Sequence, residues 1–230
     1  MNEIDKLTIY FSIFITLFVF YSAIKLSNKF NSSMFNPLLV SIIVMIIFLK
    51  TVGMPAEIYN KNTEILIYML APATISLALP LYQNLHLLKQ QWKALLAGIS
   101  AGVITNMIIV FALSKVFRLS FKDFVTILPK SITSAIGLAL SEELGGNITV
   151  TILAIIITGV MGNVFADTIF YRMKLKNKMV RGVALGTSAH AIGTAKAMEY
   201  GKAEGGMASL AIVISGVLTV IFISIFTRLY

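Results

Sequence analysis

Six stretches of this chain run for 18 to 24 residues without an Asp, Glu, Lys or Arg. They are Leu7–Ile24, Phe30–Leu49, Ile65–Leu88, Ala94–Ser114, Leu144–Ala166 and Gly205–Thr227. At about 1.5 Å per residue, each is long enough to cross about 30 Å of hydrocarbon. Only 13% of the 230 residues are charged and 57% are hydrophobic, whereas a soluble domain carries about 25% charged residues. In lipid the backbone has to satisfy its own polar groups, so only helices or a closed barrel can span. The apolar runs are continuous rather than alternating, which selects helices. The expected fold is an all-α polytopic membrane protein with about six full spans.

Composition removes several function classes. There is no cysteine, which excludes disulfides, thiolate metal sites and Cys nucleophiles. With His86 and His190 as the only histidines, no metal site is expected, and no cofactor. The net charge of +9 lies between the apolar runs, as loops facing anionic lipid and cytoplasm require. No aromatic-interleaved basic patch points to nucleic acid. Glu3, Asp5 and Lys6 make a poor signal-peptide start, so the first run reads as a retained helix. No P-loop, G-x-G-x-x-G, H-E-x-x-H or G-x-S-x-G motif is present, and Ser188 and His190 are not a convincing nucleophile–base pair. An enzyme is not expected.

Two further charge-free runs are too short to span. Ser131–Ser141 covers roughly 16 Å as a helix and Gly182–Ala195 roughly 21 Å. Both carry the same peptide. Ala135-Ile136-Gly137-x-Ala139-x-x-x-Glu143-x-Gly145 recurs 56 residues later as Ala191-Ile192-Gly193-x-Ala195-x-x-x-Glu199-x-Gly201. A full-length apolar run follows each copy. Paired irregular segments at corresponding positions of a repeat mark transport sites, and irregular backbone at membrane depth has to line a cavity or be buried in protein.

The chain then reads as a single transmembrane domain, residues 1–230, with the first four spans over 7–114 and the repeat copies over 124–166 and 180–227. If the short segments enter and return on one side, the second copy is inverted and both termini lie outside. If they cross fully, there are eight crossings, the termini lie inside and the copies are parallel. Both arrangements place Arg172, Lys174, Lys176, Lys178 and Arg181 in the cytoplasm. The shortness of the segments favours the re-entrant, inverted arrangement. The loop Thr51–Glu64 is expected outside.

The residues beside the repeated ones carry the chemistry. Pro129 suits a helix start, and Ser131, Thr133 and Ser134 can cap a half-helix whose N-terminus attracts an anion. Lys130 adds a full charge there; the plainer alternative is a Pro kink with a snorkelling lysine. In the second copy Thr187, Ser188, His190, Gly193, Thr194 and Lys196 stand where a small polar ligand fits, and His190 can shuttle a proton; its alternative is a histidine bonded to a carbonyl between helices. Glu143 and Glu199 read as solvated ends before Gly caps, and Asp167, beside Asn163, as a boundary charge. Gly182-x-x-x-Gly186, Gly98-x-x-x-Gly102 and Gly137 read as close-packing positions. Asn36, Pro37 and Pro80 read as helix breaks, and Tyr82 and Trp92 as interfacial aromatics.

These residues also carry a resemblance. Phe35-Asn36-Pro37, Ala78-Leu79-Pro80-Leu81-Tyr82, Leu128-Pro129-Lys130-Ser131-Ile132-Thr133, Glu143-Leu144-Gly145-Gly146, Thr158-Gly159 and the run from Arg181 through His190 to Glu199 resemble the CidB/LrgB family, nearer its CidB-like branch. The likeness covers nearly the whole chain. It implies a bacterial inner-membrane protein working beside a small holin-like partner of the CidA/LrgA type. Members are described as antiholin-like, modulating murein hydrolase export, autolysis and programmed cell death. Relatives are implicated in moving small carboxylates such as pyruvate, and a plastid relative moves glycolate and glycerate. Where many relatives read Ala-Ser-His, this chain reads Ser188-Ala189-His190, shifting the hydroxyl about 100° around a helix.

The expectation is therefore a small-carboxylate transporter of the inner membrane, with membrane lipid, the holin-like protein and a second copy of the chain as partners. Its expected substrate-binding residues are Lys130, Ser131, Thr133, Ser134, Thr187, His190, Gly193, Thr194 and Lys196. The alternative is an antiholin-like regulator that controls lysis without moving a solute.

Overall fold

The computed structural model describes residues 3–30, 37–69, 72, 75, 82 and 85–230. Every regular element among them is a helix. The chain divides into two compact units, residues 1–76 and 77–230.

The first unit holds α1 (Glu3–Phe30), α2 (Pro37–Val52), α3 (Ala56–Asn62) and α4 (Glu64–Tyr68). Pro37 is the first residue of α2, where its fixed φ suits helix entry and its missing N–H is not needed; it starts a helix rather than breaking one. Asn36 and Pro80 lie outside the described residues. Gly53 takes φ +72, a left-handed turn that frees the chain to bend by 117° between Leu39–Val52 and Ala56–Asn62. The segment expected as an outside loop thus contains α3, and α3 is tied to α1: Asn62 Nδ2 donates to Ser12 Oγ at 3.2 Å, and the Thr16 and Tyr59 hydroxyls meet at 2.7 Å.

The second unit holds α5 (Leu85–Val116), α6 (Phe121–Ile127), α7 (Ser134–Glu143), α8 (Ile148–Arg172), α9 (Lys178–Tyr200) and α10 (Lys202–Leu229). Ser120 and Asp123 form a capping box that starts α6. Helix α6 ends just before Pro129, and residues 128–133 make an irregular tip. Helix α7 follows, then Gly145 at φ +78, whose N–H donates to the Glu142 carbonyl at 3.0 Å. Asn147 then caps α8. The fifth run's expected start at Leu144 is corrected by this turn: a positive-φ glycine and an Asn cap hold the start back to Ile148. The helix also runs on to Arg172, so Asp167 lies inside it rather than at its end.

Helix α9 is interrupted at Ala189 (φ −124, ψ 15) and His190 (φ 43, ψ −132). The chain doubles back there. A β-carbon built on Gly193 would lie 2.3 Å from the Leu185 carbonyl oxygen, although eight residues of straight helix span about 12 Å. The Arg181 guanidinium stands 5.9 Å from the Tyr200 ring. The first copy is built alike: a β-carbon on Gly137 would lie 3.4 Å from the Pro129 carbonyl oxygen. Adding 56 to this pair of numbers gives the Gly193–Leu185 pair. Thr151 Oγ1 donates to the Thr126 carbonyl at 2.8 Å, and the equivalent pair, Gly182 and Met207, is also in contact.

Apolar burial holds these pieces together. Ile99, Val103, Met107 and Val110 of α5 pack with Phe124 and Val125 of α6, Leu128 and Ile132 of the tip, and Ala211 and Ile223 of α10. Near the C-terminus the Tyr230 ring stacks on Phe124 at 4.2 Å and its hydroxyl donates to the Leu119 carbonyl at 2.6 Å. Near the start of α10, Met207 and Leu210 pack on Leu95.

Four described helical stretches are long and apolar enough to span: Leu7–Lys29, Gln91–Val116, Ile148–Arg172 and Lys202–Leu229. A fifth results if the bent α2–α3 pair is one span. Six full spans were expected. The second run is shortened to α2 by its start at Pro37 and the bend at Gly53, and much of the third lies outside the described residues.

Candidate functional site

A cavity of about 770 Å³ opens between α5, the first tip, α8 and the first arm of α9. Its walls are mainly apolar, from residues such as Leu95, Met161, Phe165 and Val183, and its polar groups are Asn106, Lys130, Ser131, Thr158, Thr187 and Ser188 at one region and Gln91 and Asn177 at another. Small residues make the space. Gly98 lines the cavity, and a β-carbon there would touch nothing within 4 Å. This corrects its reading as a packing position. Gly102 does pack: a β-carbon would lie 2.8 Å from Thr187 Cγ2. Gly182 and Gly186 let α9 approach α10, since a β-carbon would lie 2.3 Å from the Glu204 carbonyl oxygen and 2.4 Å from that of Ala208.

Lys130 is the charge of the cavity. Its Nζ donates to Asn106 Oδ1 at 2.6 Å and to Ser131 Oγ at 3.2 Å, and Ser131 Oγ donates to the same Asn106 oxygen at 3.2 Å. No carboxylate pairs with Lys130 among the described residues, so its ammonium has neutral oxygens for company. Asn106 lies near the middle of the stretch Gln91–Val116. The sequence reading missed it. The signal available was a lone amide inside a charge-free span, which a criterion counting only charges passes over.

The other expected residues divide by location. Ser131 and Thr187 are buried and line the cavity. Thr187 Oγ1 has no hydrogen-bond partner among the described residues. Ser188 also lines it, but its hydroxyl donates to the Ala184 carbonyl at 2.7 Å. Thr133 is the N-cap of α7 without a side-chain cap bond, and Ser134 is exposed. The expectation that these hydroxyls cap the half-helix is corrected: Ser131 lies three residues before the helix and is engaged with Lys130 and Asn106 instead. Pro129 is buried in the tip, five residues ahead of the helix it was expected to start.

His190, Gly193 and Thr194 are buried behind the cavity wall. The His190 ring Nε2 lies 2.9 Å from the Ile155 carbonyl oxygen, and Thr194 Oγ1 donates to the His190 carbonyl at 2.9 Å. These bonds hold a non-glycine residue at φ +43, a conformation that costs about 1–3 kcal/mol. Gly159 admits the ring: a β-carbon there would lie 2.8 Å from His190 Cε1. Gly137 admits Ile155 Cδ1 in the same way, at 2.6 Å. Both tips therefore pack on the middle of α8. Lys196 is elsewhere, at the base of α9, pairing with Glu199 at 2.9 Å and Asp167 at 3.4 Å. The Tyr200 hydroxyl donates to Asp167, and Arg181 stacks over Phe170 at 5.5 Å.

The profile of the LrgB-like family matches residues 16–229. A "Holin-like protein CidB" of Staphylococcus epidermidis (strain ATCC 35984) is 33% identical over 218 residues, 95% of either chain. An "Antiholin-like protein LrgB" of Bacillus subtilis (strain 168) is 38% identical over 221 residues, 96% of either chain. Neither name is that of an enzyme. No solved structure matches the chain.

Proposed function

This chain belongs to the LrgB-like family of multi-pass bacterial membrane proteins, and we propose that it moves small carboxylates across the inner membrane, using the cavity at Lys130. One observation carries the reading. A cation sits beside a cavity at the middle of α5 with no carboxylate partner among the described residues. An unpaired charge at membrane depth costs several kcal/mol, and an anionic substrate supplies the missing partner. Asn106 and Ser131 orient the ammonium, and the apolar walls accept a short carbon skeleton.

The repeat supports a way of moving it. Each copy is a hairpin that turns back at its tip and a long helix that crosses once. A unit of that kind reverses direction between copies, so we read the repeat as inverted and re-entrant. The contacts of Tyr230 near α6 and of Met207 near Leu95 agree with hairpins entering from opposite faces. Alternating access then moves one hairpin tip against α5 and α8, closing the cavity on one face as it opens on the other.

The relatives' names favour a second reading, in which the chain regulates a small holin-like partner of the CidA/LrgA type, and through it murein hydrolase activity and lysis, without transporting a solute. The two are compatible, because a carboxylate flux can itself set the lysis phenotype. The separating test is uptake of labelled pyruvate, glycolate and glycerate into proteoliposomes with and without the partner. Flux above the empty-liposome level for at least one acid is expected. Background flux for all three with the partner present removes the transport reading, and a lysis phenotype that survives Lys130→Met leaves the regulatory one.

A further inference from the structure

We propose that Thr187 is the residue by which the cavity tells an acid with an oxygen on its second carbon from the plain acid of the same length. The inference rests on the transport reading above.

Several buried hydroxyls in this protein bond back to their own helices. Ser12 donates to Thr8, Thr126 to Lys122, Thr194 to His190 and Ser209 to Gly205, all at the carbonyl four residues earlier. Ser188, next door, donates to Ala184. Thr187 departs from this habit. It is 8% exposed, it lines the cavity, and its hydroxyl has no partner among the described residues. Burying a hydroxyl with no partner is unfavourable, and a helix offers it a carbonyl at no distance. An uncommitted hydroxyl on a cavity wall is one held ready for a ligand oxygen. Its methyl packs against α5 at Gly102, and that contact fixes the side chain.

Thr187 also occupies the repeat position of Ser131, 56 residues on. The two tips therefore present matched hydroxyls to one cavity. Ser131 is already bonded within the Lys130–Asn106 cluster, which is where a carboxylate neutralises the ammonium. The second hydroxyl is left for a second oxygen. Because a hydroxyl both donates and accepts, it suits a 2-hydroxy and a 2-oxo acid alike and has nothing to offer a methyl or methylene.

The variant Thr187→Val keeps the shape and the methyl contact and deletes only the hydroxyl. In proteoliposomes importing labelled glycolate, unlabelled glycolate and acetate are compared as competitors at half-inhibition. The wild type is expected to prefer glycolate. T187V should raise the glycolate value about 5- to 10-fold, the size of one lost neutral hydrogen bond, with the acetate value unchanged. T187S, which restores the hydroxyl, should restore the preference. The thermal midpoint of T187V should stay level or rise, since no internal bond is lost. Equal inhibition by the two acids in the wild type, or a T187V that shifts both alike, overturns the role of Thr187 and leaves transport standing. Absence of labelled glycolate flux in a wild type that carries pyruvate or glycerate overturns the role of Thr187 alone, and background flux for all three acids with the partner present overturns both.

Discussion

Replacing Lys130 with methionine separates a binding charge from a structural one, because the two roles predict opposite signs for stability. The methionine keeps the length and the apolar stem and removes the ammonium. In the folded protein the ammonium makes hydrogen bonds at 2.6 Å to Asn106 and 3.2 Å to Ser131. Net, such bonds contribute about 1 kcal/mol apiece, somewhat more with a charged donor. Against them stands the desolvation of an unpaired charge, several kcal/mol for a buried ion and still about 2.5–3.5 kcal/mol for lysine at a helix centre. The Asn106 and Ser131 groups left behind still bond to each other, so K130M should match or exceed the wild type in thermal midpoint. Function should move the other way. A charge-assisted bond to a carboxylate contributes about 1.5–3 kcal/mol, so kcat/KM for carboxylate uptake should fall roughly 10- to 150-fold. Uptake per folded molecule and midpoint are read on the same preparation. A K130M protein that loses several degrees of midpoint while transporting normally refutes the assignment and makes Lys130 a structural snorkel.

The remaining predictions concern the hairpins. Gly193→Ala places a β-carbon 2.3 Å from the Leu185 carbonyl oxygen and 2.7 Å from Ala189 Cβ, so the two arms of α9 must separate; a loss of about 1–3 kcal/mol is expected, read in thermal unfolding, whereas Gly98→Ala, open to the cavity, should match or exceed the wild type, since alanine is the better helix former. At His190 the usual order of glycine and alanine should invert. Both variants lose the bond to Ile155, but alanine remains at φ +43, so H190G should be more stable than H190A by about 1–2 kcal/mol; an alanine variant at least as stable as the glycine one shows the break to be unstrained.

Much of the helical frame was legible because a bilayer imposes a length and a charge limit that the residues reveal directly. The runs at 94–114 and 205–227 lie inside α5 and α10 for that reason. The start of the fifth run differs because charge is not what ends a helix: Gly145 and Asn147 set the beginning of α8 through φ and capping, and neither is charged. The same criterion hid Asn106, which is neutral and yet the acceptor on which the Lys130 cluster converges. The two short runs are visible as too short; Gly137 reads as a packing position and Gly193 as a ligand position, and a β-carbon on either would crowd its neighbours. What spacing alone could not supply was the direction of packing. His190 and Thr187 are three residues apart, but the backbone turns between them, leaving Thr187 on the cavity wall and His190 against the Ile155 carbonyl. Periodicity assumes a continuous helix, and the positive φ at His190 ends its validity there.

The repeat duplicates a backbone plan without duplicating its chemistry, and the difference has a steric origin. Position 130 of the first copy corresponds to 186 of the second. At 130 a lysine extends toward Asn106. At 186 a glycine lies so close to α10 that a β-carbon would come within 2.4 Å of the Ala208 carbonyl oxygen and 2.8 Å of its Cα. Backbone atoms cannot move aside as a side-chain end can, so no cation can be borne there. The hydroxyl network of Thr126, Ser141 and Thr151 in the first copy is likewise answered by Gly182, Ala197 and Met207 in the second, which pack without polar groups. Close packing of α9 on α10 thus bars a cation from position 186 and leaves the tip lysine to the first copy. A cavity between two such tips holds one positive charge, and one monoanion neutralises it. A dicarboxylate would bring a second negative charge into low dielectric without a partner among the described residues, at a further penalty of several kcal/mol, so the same asymmetry that makes the site attractive to one carboxylate makes it exclude two.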